Sequence, residues 1–492
     1  MTAGSLRSAP SQSFYNNNGK PVTRVIGSVL ASVLGAMSFS AMAAEALYQN
    51  PSADQSQITA QNQSQFQGCL AGLRGAAASS GVSGQTFDRY TAMLQPDMSV
   101  IEKLNYQPEF STPIWDYLSG LVDQERVDLG RQKLAQYAMP LQQVQAQYGV
   151  DPASVVAVWG VESNFGNISG KYPLVQALGT LSCYGRRQAY FRTELYATLR
   201  ILQAGHMSEQ QLTGSWAGAF GHTQFMPSTF ERLAVDFDGD GRRDIVSSVP
   251  DALASTANFL KKSGWQTGMP WGFEVRLPTN INTDAEGRRT KRSLATWQQR
   301  GLSRMDGSAL IQGNLSSNSM AGLLMPAGAN GPAFLVFKNF DAFYSYNAAE
   351  SYALAIAHLA DRMRGGQPIK AAWPTDDPGT SRAERREIQQ YLLAKGYDIG
   401  DPDGLIGDKT RQAIQHEQQK LGLAATGRGG QKILRALRAQ RGQSTTAPNT
   451  GLTVQPATPP LMSEPEADGT SQNLIIQQTI RQVPQNLQGE PF

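Results

Sequence analysis

One carboxylate in an apolar helix constrains this chain more than any other feature. Asp151 makes a good N-cap and Pro152 suits the first helical position, so a helix is predicted to start there and to end near Gly166. Val155, Val158, Trp159 and Glu162 recur at i, i+3, i+4 and i+7, which puts them on one face and turns Glu162 inward. Burial and the negative end of the helix dipole both favour the protonated carboxyl, the form a general acid needs at neutral pH. Two other readings stay open on spacing alone. Glu162 can pair with a buried Arg, or reach solvent where Val156 and Val161 broaden the apolar surface.

The 492 residues exceed what one hydrophobic core usually supports, so two or more units are expected. The composition is globular, 40% hydrophobic and 17% charged, and a net charge of +3 without a Lys/Arg-rich run gives no support for nucleic-acid binding. Lys20 and Arg24 precede an apolar run from Val25 to about Met37 and small residues at 41–44. This is the pattern of an export signal over residues 1–44, cleaved after Ala43 or Ala44, with an uncleaved signal anchor as the alternative. There is no Cys at that junction for a lipid, and no later apolar run long enough to span a bilayer, so no stable membrane anchor is expected. Cys69 and Cys183 are the only cysteines, and both a disulfide and two buried free thiols fit them.

Residues 45–65, rich in Gln, Ser and Asn, read as a mobile lead-in. Residues 66–363 alternate helical patterns with turns, and a few apolar strings such as 334–337 look like strands, which predicts a mainly α domain with a small β element. Residues 364–382 carry the Gly and Pro content of a linker, 383–439 form a second helical unit, and 440–492 read as a disordered tail with a short amphipathic stretch at 473–483.

Four segments then occur in a telling order: Gly160 to Gly166, Gly218 to Ser228, Asp236 to Gly241, and Tyr346 to Tyr352. Together they resemble the membrane-bound lytic transglycosylase B family (glycoside hydrolase family 103) over about Phe66 to Met363. The resemblance implies a lysozyme-like α+β catalytic domain acting in the periplasm on peptidoglycan glycan strands. It implies cleavage of the β-1,4 bond between N-acetylmuramic acid and N-acetylglucosamine, with the muramoyl C6 hydroxyl closing onto C1 to leave a 1,6-anhydro end. Glu162 matches the family's single acid/base, and no cofactor is implied for the chemistry.

By the same resemblance Ser215 orients the acid and Gln224 binds substrate, while Arg186, Arg187 and Tyr190 line the groove where cations meet carboxylates. Tyr117, Phe225, Met226, Tyr346, Asn347 and Tyr352 also fall on groove positions, although such aromatics at helical spacing suit a core equally well. Phe259 departs from the family, whose members carry Tyr there, so a stacking face is kept and a hydroxyl lost. Asp116, Glu194 and Glu231 read as surface or pairing acids.

Asp236, Asp238 and Asp240 with Gly241 reproduce the first half of an EF-hand loop, with Ser247 where the bidentate Glu belongs. The resemblance adds Asp251 and the Arg242 carbonyl, with Asp244 as a spare, and implies a structural calcium ion; an unliganded acidic turn is the alternative. His206, His222, His358 and His416 lie in separate segments without ligand spacing, so no transition metal is expected.

The second unit, with Tyr397, the turn at 403–407 and Thr410, resembles a type-1 peptidoglycan-binding module whose core is Ile388, Leu392, Ala413, Ile414, Leu434 and Leu437. Read without that resemblance it is a compact helical bundle. The tail offers a contact for cell-wall synthesis proteins, or a solvated spacer. A lysozyme-type hydrolase and a wall-binding adapter without turnover remain the competing functions, and the intact set of Glu162, Ser215 and Gln224 favours an enzyme.

Overall fold

A computed structural model describes residues 51–105 and 112–444. The expected signal peptide at 1–44 and the amphipathic stretch at 473–483 lie outside the described residues. The first part is helical: α1 (Pro51–Ser79), α2 (Gly84–Thr91), α3 (Ser99–Asn105), α4 (Ile114–Leu121), α5 (Gln124–Gln136), α6 (Ala138–Tyr148) and α7 (Pro152–Ser163). Strand β1 (Tyr172–Pro173) leads into α8 (Leu174–Cys183) and α9 (Gln188–Gln203), and β2 (Thr213–Gly214) pairs back on β1. Helices α10 (Pro227–Leu233) and α11 (Val249–Lys262) follow.

A sheet comes next, built from β3 (Gly272–Arg276), β4 (Lys291–Ser293), β5 (Ser303–Arg304), β6 (Met320–Leu324) and β7 (Ala333–Val336), with α12 (Leu294–Gln299) between β4 and β5. Its strands are antiparallel in the order β4-β6-β7-β3-β5. Helices α13 (Lys338–Asn347) and α14 (Glu350–Met363) then return to the helical body. The second unit is α15 (Arg382–Ala394), α16 (Asp408–Lys420) and α17 (Gln431–Ser444). None of the described helices is long and apolar enough to cross a membrane.

Two apolar clusters build the helical body. One gathers α4 to α7, α11, α13 and α14, and the other gathers α1 to α3 with α8 to α10. Helix α7 runs through the first and is buried on every side from Ala153 to Ser163. The expected one-sided apolar face is therefore an underestimate, because the Ala, Val and Gly residues opposite Glu162 are small enough for neighbouring helices to close over them. Four valines in α7, at 155, 156, 158 and 161, weaken intrinsic helix preference, and the ends compensate. Asp151 accepts from Ser154 N at 3.0 Å, a cap that contributes about 1 kcal/mol.

Two expectations from composition change in the structure. Residues 51–65 are helical, not a loose lead-in: Gln63 and Gln67 donate to the Leu94 carbonyl at 2.9 and 2.7 Å, and Phe66 is fully buried. The Gly/Pro-rich segment 364–382 is pinned, with Lys370 N and Ala371 N donating to the Glu274 carboxylate at 2.9 and 2.7 Å. Cys69 on α1 and Cys183 at the end of α8 form a disulfide with Cα atoms 5.9 Å apart. In the second unit Ile388, Leu392, Ala413, Ile414, Leu434 and Leu437 share one buried core with Ile399 and Ile433.

Candidate active site

Glu162 sits one residue before the end of α7, with 3% of its surface exposed. Its hydrogen-bond partner is the hydroxyl of Tyr352, which donates to Oε1 from α14. Burial pushes the Glu162 carboxyl up to about 8, and the Tyr352 bond pulls against that rise. The acid is thus held uncharged at neutral pH. The alternative of an Arg partner is not realised, since the buried Arg126 donates to Asn164 Oδ1 and the Gly120 carbonyl, both at 3.3 Å.

The backbone turns sharply after the acid. Asn164, Phe165 and Gly166 all have positive φ, at 50°, 59° and 87°. Phe165 folds back over Gly160, where a Cβ would stand 2.6 Å from its ring, so that glycine makes room for the turn. Among the described residues the other non-glycine positions with positive φ are Arg187, Gln224 and Ala348. Four of the five fall within the segments singled out in the sequence, and the fifth, Arg187, is one of the residues the resemblance assigns to the groove. Left-handed backbone costs such residues on the order of 1 kcal/mol each, and its concentration here marks a site whose geometry outweighs local preference.

Gln224 and Asn347 are buried with Oε1 and Oδ1 unpartnered within the protein, and the Thr223 hydroxyl is likewise buried without a partner. Buried acceptors left open are costly unless a ligand fills them. Gln224 Nε2 is spoken for by the Gly221 carbonyl at 2.8 Å, so its oxygen is the end left for a ligand. Thr223 escapes the sequence reading, because a lone Thr in a loop carries no pattern. The Tyr346 hydroxyl donates to the Thr223 carbonyl at 2.7 Å and its ring lies 6.3 Å from Tyr352. Phe225, Phe259 and Tyr346 form an aromatic group with centroids 4.5 to 6.0 Å apart, and Phe259 and Tyr346 pack against both helical clusters.

Tyr117 on α4 packs against the cluster that holds α7, and its phenol adds to the rise that burial imposes on Tyr352. Ser215 is fully buried, and its Oγ accepts from Ala219 N at 3.0 Å. Its hydroxyl therefore closes its own turn, while the described bond to Glu162 comes from Tyr352. Met226 stands at the N-cap of α10. On the α9 side Arg187 lies 4.5 Å over the Tyr190 ring, and Arg186 Nη2 donates to the Leu104 carbonyl at 2.7 Å. His222 accepts from Trp159 Nε1 at 3.2 Å through Nδ1, and burial lowers its pKa, so it is a neutral packing residue.

Of the three acids read as ordinary, Asp116 pairs with Arg428 and Glu231 with Arg200. Glu194 is buried and accepts from Ser228 N and Oγ at 2.9 and 2.8 Å. In the acidic loop Asp236, Asp238 and Asp251 bring one carboxylate oxygen each to within 4.8 Å of the others. Asp251 also accepts from Phe237 N and Asp244 N at 2.7 and 2.8 Å, which ties the loop to α11. The Asp240 carboxylate turns back onto Arg242 N at 2.8 Å and stands outside that group of three. A hard-oxygen set of this kind fits a calcium ion.

This frame is a known one: residues 65–361 match the family model described as transglycosylase SLT domain. The chain belongs to this family. A second model, putative peptidoglycan binding domain, matches residues 381–437. The chain is similar to membrane-bound lytic murein transglycosylase B of Escherichia coli K12, at 33% identity over 267 residues, covering 53% of this chain and 67% of that one. It is also similar to the crystal structure of SltB3 from Pseudomonas aeruginosa in complex with NAG-anhNAM-pentapeptide, at 46% identity and a TM-score of 0.61, covering 76% of this chain and 99% of that one. The Escherichia coli lytic transglycosylase Slt35 in complex with calcium is a more distant likeness, at 28% identity and a TM-score of 0.52 over 62% of this chain and 93% of that one. The lysozyme-like fold follows, and the chain is a lytic transglycosylase that cleaves glycan strands, an enzyme and not only a wall-binding adapter.

Proposed function

We propose that this lytic transglycosylase cuts peptidoglycan between N-acetylmuramic acid and N-acetylglucosamine, with Glu162 as the one carboxyl in the reaction. The observation that carries this reading is the neutral, buried Glu162 bonded to a phenol, with no second acid among the groups that shift it. Glycosidases that use water usually need two carboxyls, one as acid and one as nucleophile or base. Here the substrate supplies the missing parts.

Glu162 gives its proton to the glycosidic oxygen as the bond from C1 breaks, and the muramoyl acetamido oxygen adds to C1 in its place. The Glu162 carboxylate then takes the proton from the C6 hydroxyl while that oxygen bonds to C1 and displaces the acetamido group. The acid is restored and a 1,6-anhydro end leaves. The open acceptors of Gln224 and Asn347 face substrate N–H or hydroxyl donors in this reading, and Phe225, Phe259 and Tyr346 offer faces to sugar C–H groups. Arg186, Arg187 and Tyr190 hold the strand's carboxylates farther along the groove.

Mass spectrometry of fragments released from purified sacculi tests the reading: anhydro ends are expected, and reducing ends would make the enzyme a hydrolase. The complex of SltB3 with NAG-anhNAM-pentapeptide, a ligand with an anhydro sugar, supports the first outcome. In the same reading residues 1–44 export the chain to the periplasm, and the unit at 381–437 keeps the enzyme near the wall by raising local concentration.

Tyr352→Phe provides a separate check on the acid. Since the Tyr352 bond lowers the Glu162 pKa, its loss is expected to move the alkaline limb of kcat/KM upward in pH and to cut the rate about tenfold. An alkaline limb at the wild-type pH would remove Glu162 from the role of acid.

Asp236, Asp238 and Asp251 would hold a calcium ion whose part is to brace the loop between α10 and α11. The complex of Slt35 with calcium supports that assignment. Calcium at a hundredfold over its Kd is expected to stabilise the wild type by about 2.7 kcal/mol, with no such gain in Asp251→Asn. Equal melting temperatures with calcium and with chelator would dismiss the ion.

A further inference from the structure

The second unit does more than hang beside the catalytic domain. Arg428, in the turn before α17, donates from Nε to Asp116 Oδ2 at 2.7 Å and from Nη2 to Asp116 Oδ1 at 2.8 Å. The same guanidinium donates from Nη1 to Asp377 Oδ2 and from Nη2 to the Asp377 carbonyl, both at 2.9 Å. One side chain thus joins α4, the segment at 364–382 and the C-terminal bundle. The paired geometry is the one in which Arg adds direction as well as charge.

Around this clasp the contact is close. A Cβ on Gly379 would stand 2.2 Å from Ser119 Oγ and 3.0 Å from the Trp115 carbonyl, so the strap lies directly on α4. Trp373 of the strap sits 6.4 Å from Trp115. Arg386 of α15 adds a second tie, donating to Glu125 of α5 at 2.7 Å. Helix α4 is eight residues long, from Ile114 to Leu121, and a helix that short draws little stability from itself. Asp116 and Tyr117 are neighbours on it. One is held by the bundle, and the other packs on the core around α7 and Tyr352.

We propose that Arg428 is a positioning residue for glycan cleavage: through Asp116 it fixes α4, and with it the Tyr117 side of the groove. The C-terminal bundle is then part of the frame of the catalytic site and acts on substrates too short to touch the bundle itself. This rests on the groove assigned above. The end-group analysis of wild-type products tests that assignment separately, because the comparison below needs only cleavage, whichever end forms.

The test compares full-length wild type, Arg428→Met, Arg428→Lys and the exchanged pair Asp116→Arg with Arg428→Asp, using a purified soluble glycan fragment of a few disaccharides. Arg428→Met is expected to raise KM about tenfold while kcat changes less than twofold, and to leave sacculus pull-down and the pH profile of kcat unchanged. Protease cutting within 364–382 should become faster. Arg428→Lys is expected to recover part of the KM, and the exchanged pair less of it, because its new carboxylate faces Asp377. Wild-type KM in Arg428→Met overturns the proposal, whether or not the strap is released. So does a fall in kcat that tracks a lower melting temperature and is not recovered by Arg428→Lys. Asp116→Asn carries the same comparison if Arg428→Met does not fold.

Discussion

Glu162→Gln is expected to lower turnover on sacculi by at least about 10³-fold while sacculus binding stays at the wild-type level. The size follows from the double duty of one group. The same carboxyl gives a proton to the leaving oxygen and takes one from the C6 hydroxyl, and an amide does neither. Gln has nearly the shape of Glu and can still meet the Tyr352 hydroxyl through its carbonyl, so the fold has no reason to change. Loss of binding along with turnover would point to misfolding instead.

The same substitution has a stability signature of opposite sign. The Glu162 carboxyl is raised from 4.5 to about 8 by burial. Below 4.5 it is protonated in both folded and unfolded chains and has no effect on their balance. Between 4.5 and about 8 only the unfolded chain gives up the proton, so stability falls as pH rises, and the loss levels off above about 8. At roughly 1.4 kcal/mol per pH unit the loss reaches the order of 5 kcal/mol. Gln cannot ionise and escapes it. The variant is therefore expected to melt above wild type at pH 8 and with wild type near pH 4. Parallel melting curves across that range would mean that the acid is far more solvated than its burial indicates.

Local signals in the sequence make the acid legible: the Asp151 cap, Pro152 and the run of small apolar residues all act within a few turns of chain. What surrounds the acid is not legible in that way. Tyr352 is 190 residues away and Arg428 lies 312 residues from Asp116, and no spacing rule reaches that far. Tyr352 comes into view only through a motif. Asp116 reads as an ordinary acid because its partner stands on another unit. The family resemblance assigns Ser215 to Glu162; in the structure its Oγ accepts from Ala219 N, the backbone donor nearest to it in its own tight turn.

Composition misleads at two segments for one physical reason. Gln-rich and Gly/Pro-rich stretches report a weak preference for regular structure, not a lack of tertiary partners. In α1 the apolar Phe66, Leu70 and Leu73 recur at helical spacing among the polar residues and are all buried. In the strap, backbone N–H groups that no helix satisfies are taken up by Glu274. The EF-hand pattern is a better guide, because alternating acids and glycine dictate a loop shape; Asp236, Asp238 and Asp251 come together, while Asp240, which accepts from Arg242 N, stands apart.

Removing the disulfide is expected to be the largest blow to stability that leaves the acid untouched. Cys69 and Cys183 close a loop with a sequence separation of 114. In the chain-entropy picture a loop of that size is worth about 4.7 kcal/mol, and measured losses usually fall at about 2–4 kcal/mol. For a body of this size that is a drop in Tm of roughly 3–6 °C. The bond joins α1 to the end of α8, beside Tyr184, whose hydroxyl reaches the Asn62 carbonyl at 3.2 Å and whose ring stacks on Phe66 at 6.0 Å. Reduction should therefore loosen α1 and the turn carrying Arg186 and Arg187 before it reaches α7, which belongs to the other cluster. With Cys69→Ser and Cys183→Ser together, amide exchange is expected to quicken first in α1, and KM to rise ahead of any fall in kcat. A Tm indifferent to reductant, or a kcat that falls first, would show that the two clusters share one fate and that the bond does not divide them.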